Sequence, residues 1–416
     1  MTTATQKIPS GYKQTAIGVI PSDWDVKKLG DVGEIKMCRR IFNHETREVG
    51  TIPFYKIGTF GKDADAYISQ DLYDDYRHRF SFPKKGDILI SAAGTIGRTI
   101  VYDGKPAYFQ DSNIVWIDNN EELISNSFLY YVFQIAKYQT EGGTIQRLYN
   151  NILNNTKFVC PLKPHQNAIA TVLSDTDTLI SKFEKLIEKK NNVKQGVTQE
   201  LLTGKRRLSG FDSKWETKKI GEIGKPYGGL SGKVKGDFGI GNSSYIPFMN
   251  IMSNPVIDLT YFDTVNIHPG EFQNKAQKGD LFFNGSSETP EEVGMCSVLL
   301  TEIPNLYLNS FCFGFRLNQE LKTDGLFFSY YFRSDVGRAL IFSLAQGATR
   351  YNLSKTNFLK LEVPYPNPDE QKAISAVLSD MDIEIEKLES QLIKYQNIKQ
   401  GMMQTLLTGK IRLLTK

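Results

Sequence analysis

The chain repeats itself once, and no other feature of it restricts the possible folds as much. Residues Gln166 to Leu208 align with Gln371 to Leu413 at a constant offset of 205, and 24 of the 43 pairs are identical. Both blocks carry Ala-Ile (Ala168-Ile169, Ala373-Ile374), Val-Leu-Ser-Asp from Val172 and Val377, Lys-Gln-Gly from Lys194 and Lys399, and Leu-Leu-Thr-Gly-Lys from Leu201 and Leu406. A weaker repeat precedes each block in the same order. Trp24, Gly30 and Gly33 match Trp215, Gly221 and Gly224; Ile52-Pro53-Phe54 matches Ile246-Pro247-Phe248; Lys85-Gly86-Asp87 matches Lys278-Gly279-Asp280. The offsets run 191, 194, 193 and then 205. Insertions and deletions have therefore collected in the variable parts while the long blocks kept register. The chain is two copies of one unit, each a divergent domain followed by a strongly similar segment.

That segment reads as a helix. Ile169, Leu173, Thr176, Ile180, Phe183 and Ile187 recur at steps of four and three, and Ile374, Leu378, Met381, Ile385, Leu388 and Leu392 recur in the same way. Such a heptad seam needs an apolar partner. Pro161 and Pro164 precede the first copy, and Pro364, Pro366 and Pro368 the second; proline suits a helix start and not its interior. Gly204 and Gly409 mark the exits. The span from Gln166 to Thr203 makes a rod of about 57 Å, with Gly196 a candidate break. The equal partner within the chain is the other rod, so an intramolecular two-helix coiled coil is expected. The plainer reading is two unrelated core helices, each packed on its own domain.

The variable parts read as mixed and strand-rich. Lys85 to Ser91 and Lys278 to Asn284 look like a turn leading into a short buried strand, among aromatic residues punctuated by Gly, Asn and Asp. Short helices are expected from a cap at Ser127 to Tyr138 and from Leu326 to Leu340, both with paired tyrosines (Tyr130-Tyr131, Tyr330-Tyr331). The expected class is α/β of the α+β kind, with a pseudo-two-fold repeat. Its parts are a first domain over 1–160, a central helical region over 161–208, a second domain over 209–363 and a C-terminal helical region over 364–416.

Composition narrows the function classes. At 416 residues, 40% hydrophobic and 23% charged, the chain has the makeup of a folded protein of two to four units. Its longest apolar run, Phe128 to Phe133, is far short of a bilayer span. The polar start from Met1 to Gly11 lacks the apolar core of a secretory signal, so a cytoplasmic location is expected. Cys38, Cys160, Cys296 and Cys312 form no CxxC pair and are expected to be buried thiols rather than disulfides or zinc ligands. The formal net charge is +4, but Ser181 to Lys235 holds 14 basic and 6 acidic side chains. One region is locally electropositive, either a partner surface or an ordinary solvated helix face.

No catalytic motif emerges. Gly228 to Val234 resembles a phosphate loop, but its glycines are one residue too close and Val234 stands where a hydroxyl is required. Pro368-Asp369-Glu370-Gln371-Lys372 carries nuclease-like letters, yet adjacent residues do not converge on a metal, and the run reads as a helix start. Phe238 to Gly241 and Ser253 to Val256 lack the patterns of a methyl-donor pocket and an amino-methyltransferase loop. His44, His78, His165 and His268 are scattered.

Binding is the better expectation. Two similar domains joined by rods suit reading a long polymer at two places. The loops Ala92 to Arg98, with Thr95, and Gly285 to Thr289, with Ser286 and Ser287, follow the paired Lys-Gly-Asp strands and offer small residues and hydroxyls for close approach to phosphates. Lys56 and Asn250 follow the two Ile-Pro-Phe sequences at like positions. Lys or Arg pairs with guanine and Asn with adenine in the major groove. Lys56, Arg98 and Thr95 in one domain, and Asn250, Ser286 and Ser287 in the other, are therefore the DNA-contact candidates. The plain alternative for each is an ordinary turn or strand polar face.

With these features in place, the sequence resembles the specificity (S) subunits of type I restriction-modification systems along essentially its whole length. The resemblance rests on Ile17 to Trp24, the Lys-Gly-Asp-Ile-Leu-Ile-Ser strand, the Gln-x-Ala-Ile-x3-Leu-Ser-Asp-x-Asp helix start and the duplicated Leu-Leu-Thr-Gly-Lys-x-Arg-Leu helix end. The second copy has Asp369-Glu370-Gln371 where the first has Pro164-His165-Gln166. The resemblance implies two target recognition domains and two helical regions in an antiparallel coiled coil. It implies a subunit without chemistry of its own that binds double-stranded DNA and docks two methyltransferase (M) subunits and, through them, restriction (R) subunits. No cofactor is expected in this chain, since those partners carry S-adenosylmethionine, ATP and magnesium. The implied target has two unlike half-sites and a gap. Other readings are the specificity subunit of a system with fused methyltransferase and nuclease, a coiled-coil scaffold that does not bind DNA, and a stand-alone nuclease or methyltransferase.

Overall fold

The computed structural model describes residues 8–138, 148–347 and 350–413. The chain forms two compact units, one from Met1–Glu184 with Gln391–Lys416 and one from Lys185–Ser390. Each unit contains one divergent domain, the start of the long helix that follows it and the end of the other long helix.

In the N-terminal unit an antiparallel four-stranded sheet has the order Gly33–Lys36, Ile114–Asn119, Ile88–Ser91, Thr99–Val101. A second sheet runs Tyr67–Ile68, Ile52–Tyr55, Tyr108–Phe109, its last pair parallel. In the C-terminal unit the first sheet runs Gly224–Gly228, Cys312–Leu317, Leu281–Asn284, Cys296–Val298. The second runs Asp263–Val265, Phe238–Ile246, Leu306–Leu308, again with a parallel last pair. The weak repeat is thus a repeat of topology.

The anchors have physical reasons. Gly86 and Gly279 both adopt positive φ, at 96° and 88°, in the turn entering the Lys-Gly-Asp strand. At Gly33 and Gly224 space decides instead. A Cβ there would lie 2.1 Å from the Asp118 carbonyl oxygen and 2.4 Å from that of Arg316, so only glycine lets the edge strand close on its neighbour.

The strands Ile88–Ser91 and Leu281–Asn284 are buried along their whole length because both faces are covered. Alternate side chains divide between two cores, Ile88 and Ile90 on one side and Leu89 on the other. Leu281 and Phe283 part from Phe282 in the same way. Period-two alternation inside a doubly covered sheet reads in sequence as one apolar run.

The long helices are Lys163–Leu202 and Pro368–Leu406. The first runs unbroken through Gly196, whose surroundings are open within 4 Å; one exposed glycine costs only about 1 kcal/mol. In the N-terminal unit Ile169, Ala170 and Leu173 share a core with Met403, Leu406 and Leu407, and Phe183 stacks on Tyr395 with ring centres 5.4 Å apart. In the C-terminal unit Leu201 and Leu202 share a core with Ile374 and Leu378, and Lys190 pairs with Glu384 at 2.7 Å. Numbers rise along one helix as they fall along the other, so the pairing is antiparallel in each unit. Of the remaining seam positions Ile385 is buried, whereas Ile180, Phe183, Ile187, Leu388 and Leu392 are half-buried.

Three details differ from the sequence expectations. The helix expected from Ser127 to Tyr138 runs Asn126–Ile135, with Ser125 in the cap position. The span Leu326 to Leu340 holds two helices, Gly325–Arg333 and Asp335–Phe342, because the Ser334 hydroxyl caps the second. The departure at His165 has a structural consequence. In the C-terminal unit Arg207 donates two bonds to the buried Glu370, at 2.6 and 2.7 Å, and Trp215 Nε1 donates to the same carboxylate at 2.8 Å. In the N-terminal unit Trp24 Nε1 donates to His165 Nδ1 at 3.3 Å, and Arg412, the counterpart of Arg207, bonds Asp23 at 2.8 Å. The acidic partner has moved from the helix start to the domain, so the arginine is paired in both copies.

Candidate nucleic-acid interface

In the N-terminal domain the ends of several strands converge on one surface. Beyond Ile52–Tyr55 the chain turns over Lys56–Thr59, closed by Thr59 N donating to the Lys56 carbonyl at 3.0 Å. The loop from Ala92 to Arg98 folds around Ser91, whose hydroxyl oxygen accepts from Arg98 N at 2.9 Å and donates to the Thr95 carbonyl. Gly94 and Gly97 take positive φ in that loop. The two segments meet where Arg98 Nη1 donates to the Phe60 carbonyl at 2.7 Å, and the turn is held separately by Ile57 N donating at 2.9 Å to Oε1 of Gln110, which follows the Tyr108–Phe109 strand. Lys56, Thr95 and Arg98 are therefore brought to one place.

Thr95 and Arg98 are exposed. Lys56 sits 2.8 Å from Asp65 in a solvent-facing pair, a contact weak enough to exchange for a phosphate or base. Lys56 also lines a cavity of about 350 Å³ with Arg40, Phe42, Asn43, Gln110 and Asn113. Arg40 bonds Asp111 at 2.9 Å, and half-exposed Phe42 stacks on His44.

The corresponding surface of the C-terminal domain has a different chemistry. After Ile246-Pro247 the chain enters a helix, Phe248–Ser253, in place of a turn. This corrects the reading of Asn250. Its side chain is fully buried, donating to the Asp258 and Tyr261 carbonyls at 2.9 and 2.7 Å and accepting from Asp258 N at 2.8 Å. Every hydrogen-bonding group of the amide is engaged inside the domain, which leaves none for a base edge. Ser286 and Ser287 do lie on the surface, half-buried in a two-residue strand paired with Tyr351 and Asn352. Ser287 Oγ donates to Glu292 at 3.0 Å. They border a groove of about 310 Å³ with Phe248, Glu292, Phe311 and Arg350, and Phe311 is 59% exposed. Asn284 shapes this loop from below, as Ser91 does in the other domain, through bonds to the Glu292 carbonyl and Met295 N.

Sequence reasoning missed Arg40, Phe42, Phe311 and Arg350. The Arg39-Arg40 pair was visible inside the divergent stretch between the Gly33 and Ile52 anchors. Phe311 gave no such signal, since an aromatic residue between two buried strands reads as core.

The glycine cluster around Lys233 is not a phosphate cradle. Lys233 Nζ, with its side chain 4% exposed, is held by Glu271 and the Asn266 carbonyl. Among the described residues no group of three or more His, Cys, Asp or Glu side chains is placed to hold a metal, and no helix is long and apolar enough to cross a membrane. All four cysteines are buried and unpaired. Desolvation pushes the Cys38 and Cys312 thiols up to about 12, so they stay protonated and unreactive at neutral pH.

Comparison with known proteins identifies the family. The family model described as the type I restriction modification DNA specificity domain matches twice, over residues 21–195 and 212–395. The chain belongs to this family. A Haemophilus influenzae protein provisionally named a type I restriction enzyme specificity subunit is 56% identical over 155 residues, a match covering 37% of this chain and 40% of that relative. A Methanocaldococcus jannaschii protein, provisionally named the MjaX specificity subunit, is 28% identical over 97% of each chain. The crystal structure of the type I restriction-modification S subunit from M. genitalium superposes with a TM-score of 0.58 at 16% identity, covering 98% of this chain and 99% of that one. At that identity the likeness is one of fold. In this specificity subunit each family match contains one divergent domain and most of the helix that follows it, so the two surfaces described above fall one to each match.

Proposed function

We propose that the chain reads DNA for a type I restriction-modification complex, with each domain contacting one half of a two-part, asymmetric, gapped target. The observation that carries this reading is the paired surface. Both lie at the same place in the same topology, next to the loop that follows the Lys-Gly-Asp strand, yet one carries Arg40 and Lys56, paired with Asp111 and Asp65, together with Arg98, and the other holds Ser286, Ser287, Phe311 and Arg350 with Glu292. Equal scaffolds with unlike side chains suit two unlike half-sites.

In this reading the chain does no chemistry itself and works in the cytoplasm. It holds two methyltransferase subunits and, through them, restriction subunits, and those partners use S-adenosylmethionine, ATP and magnesium. The long helices carry apolar side chains outside their seam, with Val193 47%, Ile383 59% and Ile393 58% exposed, which suits docking of partner helices. A partner with fused methyltransferase and nuclease would use the same face.

With a formal charge of only +4, the chain alone should bind DNA weakly, because tight solitary binding draws on many phosphate contacts. Titration of labelled DNA with the chain, with and without its methyltransferase, tests this. Specific binding should appear only in the complex, and nanomolar, sequence-specific binding by the chain alone at physiological salt would contradict it.

A further inference from the structure

Two polar motifs of the repeat and the paired tyrosines meet in a way the DNA-reading role does not require. In the N-terminal unit the Tyr131 hydroxyl donates to Asp177 Oδ2 at 2.8 Å, Lys399 Nζ lies 2.6 Å from Asp177 Oδ1, and the same ammonium lies 5.8 Å from the centre of the Tyr131 ring. In the C-terminal unit the Tyr330 hydroxyl donates to Asp382 Oδ2 at 2.7 Å, Lys194 Nζ is paired with Asp382 Oδ1, and Lys194 lies 5.8 Å from the Tyr330 ring centre. Asp177 and Asp382 are the second acids of the two Leu-Ser-Asp-x-Asp motifs, and Lys194 and Lys399 open the two Lys-Gln-Gly motifs.

Each triad joins three elements. The tyrosine comes from a helix of the recognition domain, Asn126–Ile135 or Gly325–Arg333. The aspartate comes from the long helix that directly follows that domain, and the lysine from the other long helix. The tyrosine pair is offset by 199 residues and the aspartate and lysine pairs by 205. The geometry is therefore reproduced across a stretch where the copies have gained and lost residues. Tyr131 and Tyr330 are buried, and the lysine and aspartate side chains are only 20–33% exposed. In such surroundings a charge-assisted bond is stronger and more directional than a surface pair. Burial first, and then the neighbouring carboxylate, raise both tyrosine hydroxyls well above their ordinary value, so they remain donors at any physiological pH.

We propose that the Tyr131–Asp177–Lys399 and Tyr330–Asp382–Lys194 triads are positioning locks that fix each recognition domain on the helices only when the two helices are paired in this antiparallel register. They touch no base. Their effect is to hold a DNA-reading surface at one angle to the helical pair, and so to make the complex selective for a single gap length. This rests on the two-part target proposed above.

The test uses the full chain assembled with its methyltransferase, acting on duplexes that keep both half-sites and vary the gap by one base pair either way. Asp177→Asn keeps the shape of the side chain and removes its charge. Tyr131→Phe removes one oxygen, and carries the test where the first variant does not fold. Asp382→Asn is the matched change in the other unit. Either N-terminal variant should lower the preference for the native gap about tenfold, equivalent to about 1.4 kcal/mol, while leaving the preferred bases of both half-sites unchanged. Amide exchange should speed up in Asn126–Ile135 and not in Gly325–Arg333, with the reverse for Asp382→Asn. Gap preference and exchange rates equal to the unmodified chain would overturn the proposal. If the unmodified complex shows no gapped target, the functional reading fails instead, and the exchange measurement alone then decides for or against the locks.

Discussion

Arg98 gives one nitrogen to the Phe60 carbonyl and is otherwise exposed, whereas Asn250 is sealed inside its domain. Their substitutions should fail in opposite ways. Arg98→Ala should cost about 1–3 kcal/mol in binding and relax one half-site only; equal loss on every sequence would reassign Arg98 to phosphate contact. Asn250→Ala strands three backbone partners, so it should lower folding stability by about 1–3 kcal/mol in urea unfolding and leave base preferences unchanged. Nothing in sequence separates the two, because whether a polar residue after Ile-Pro-Phe faces solvent depends on whether the chain there turns, as at Lys56, or coils, as at Asn250. Glu271 offers a pH test. Lys233 first, then Gln273 and the His268 amide, hold its carboxyl down to about 2. A depressed carboxylate stabilises the fold above its unfolded value near 4.5 and loses that contribution as pH falls toward 2. The stability difference between the native chain and Glu271→Gln should therefore be full at pH 6 and shrink steadily below 4.5. A difference that does not change with pH would refute the pairing.

The helical seam was legible because helical periodicity is local, and the exit glycines Gly204 and Gly409 lie just past the helix ends at Leu202 and Leu406, whereas both helices begin three residues before the repeated blocks, at Lys163 and Pro368, and take Pro164 and Pro368 into their first turns. What spacing did not show is how unevenly the seam is buried. Ile385 is 7% exposed and Ile180 is half-buried, so Ile385→Glu should cost several kcal/mol by burying an unpaired charge, and Ile180→Glu clearly less. Equal losses in thermal unfolding would mean that the seam is uniform. The Arg207–Glu370 pair was hidden for another reason, since its members are 163 residues apart and its counterpart in the other copy uses a different acid. Removing one partner of so buried a pair, as in Arg207→Ala, should cost about 3–5 kcal/mol. Arg412→Ala should cost less, because Asp23 is partly exposed. The break at Ser334 was marked in the sequence by the polar run Arg333-Ser334-Asp335, whose serine is a helix-cap signal, but the apolar residues on either side of it also fit a single helical span; the corner is closed by Gly337, where a Cβ would lie 1.9 Å from the Tyr331 carbonyl oxygen.

At the scale of the whole chain, the strong repeat holds what both copies must share and the divergent parts hold what they must not. The Asp-x-Asp and Lys-Gln-Gly motifs are spent on contacts between the helices and the domains. Two surfaces with unlike side chains, around Arg40, Lys56 and Arg98 in one domain and around Ser286, Phe311 and Arg350 in the other, lie among the strand-end loops. This division makes one measurement decisive, namely genome-wide detection of methylated bases in cells with and without the gene. Two unlike half-sites separated by a gap of fixed length should be methylated when the gene is present and lose that methylation when it is absent, and Arg98→Ala should degrade one half-site while the other stays intact. Methylation that is unchanged on removing the gene, or that follows a single ungapped palindrome, would contradict the account.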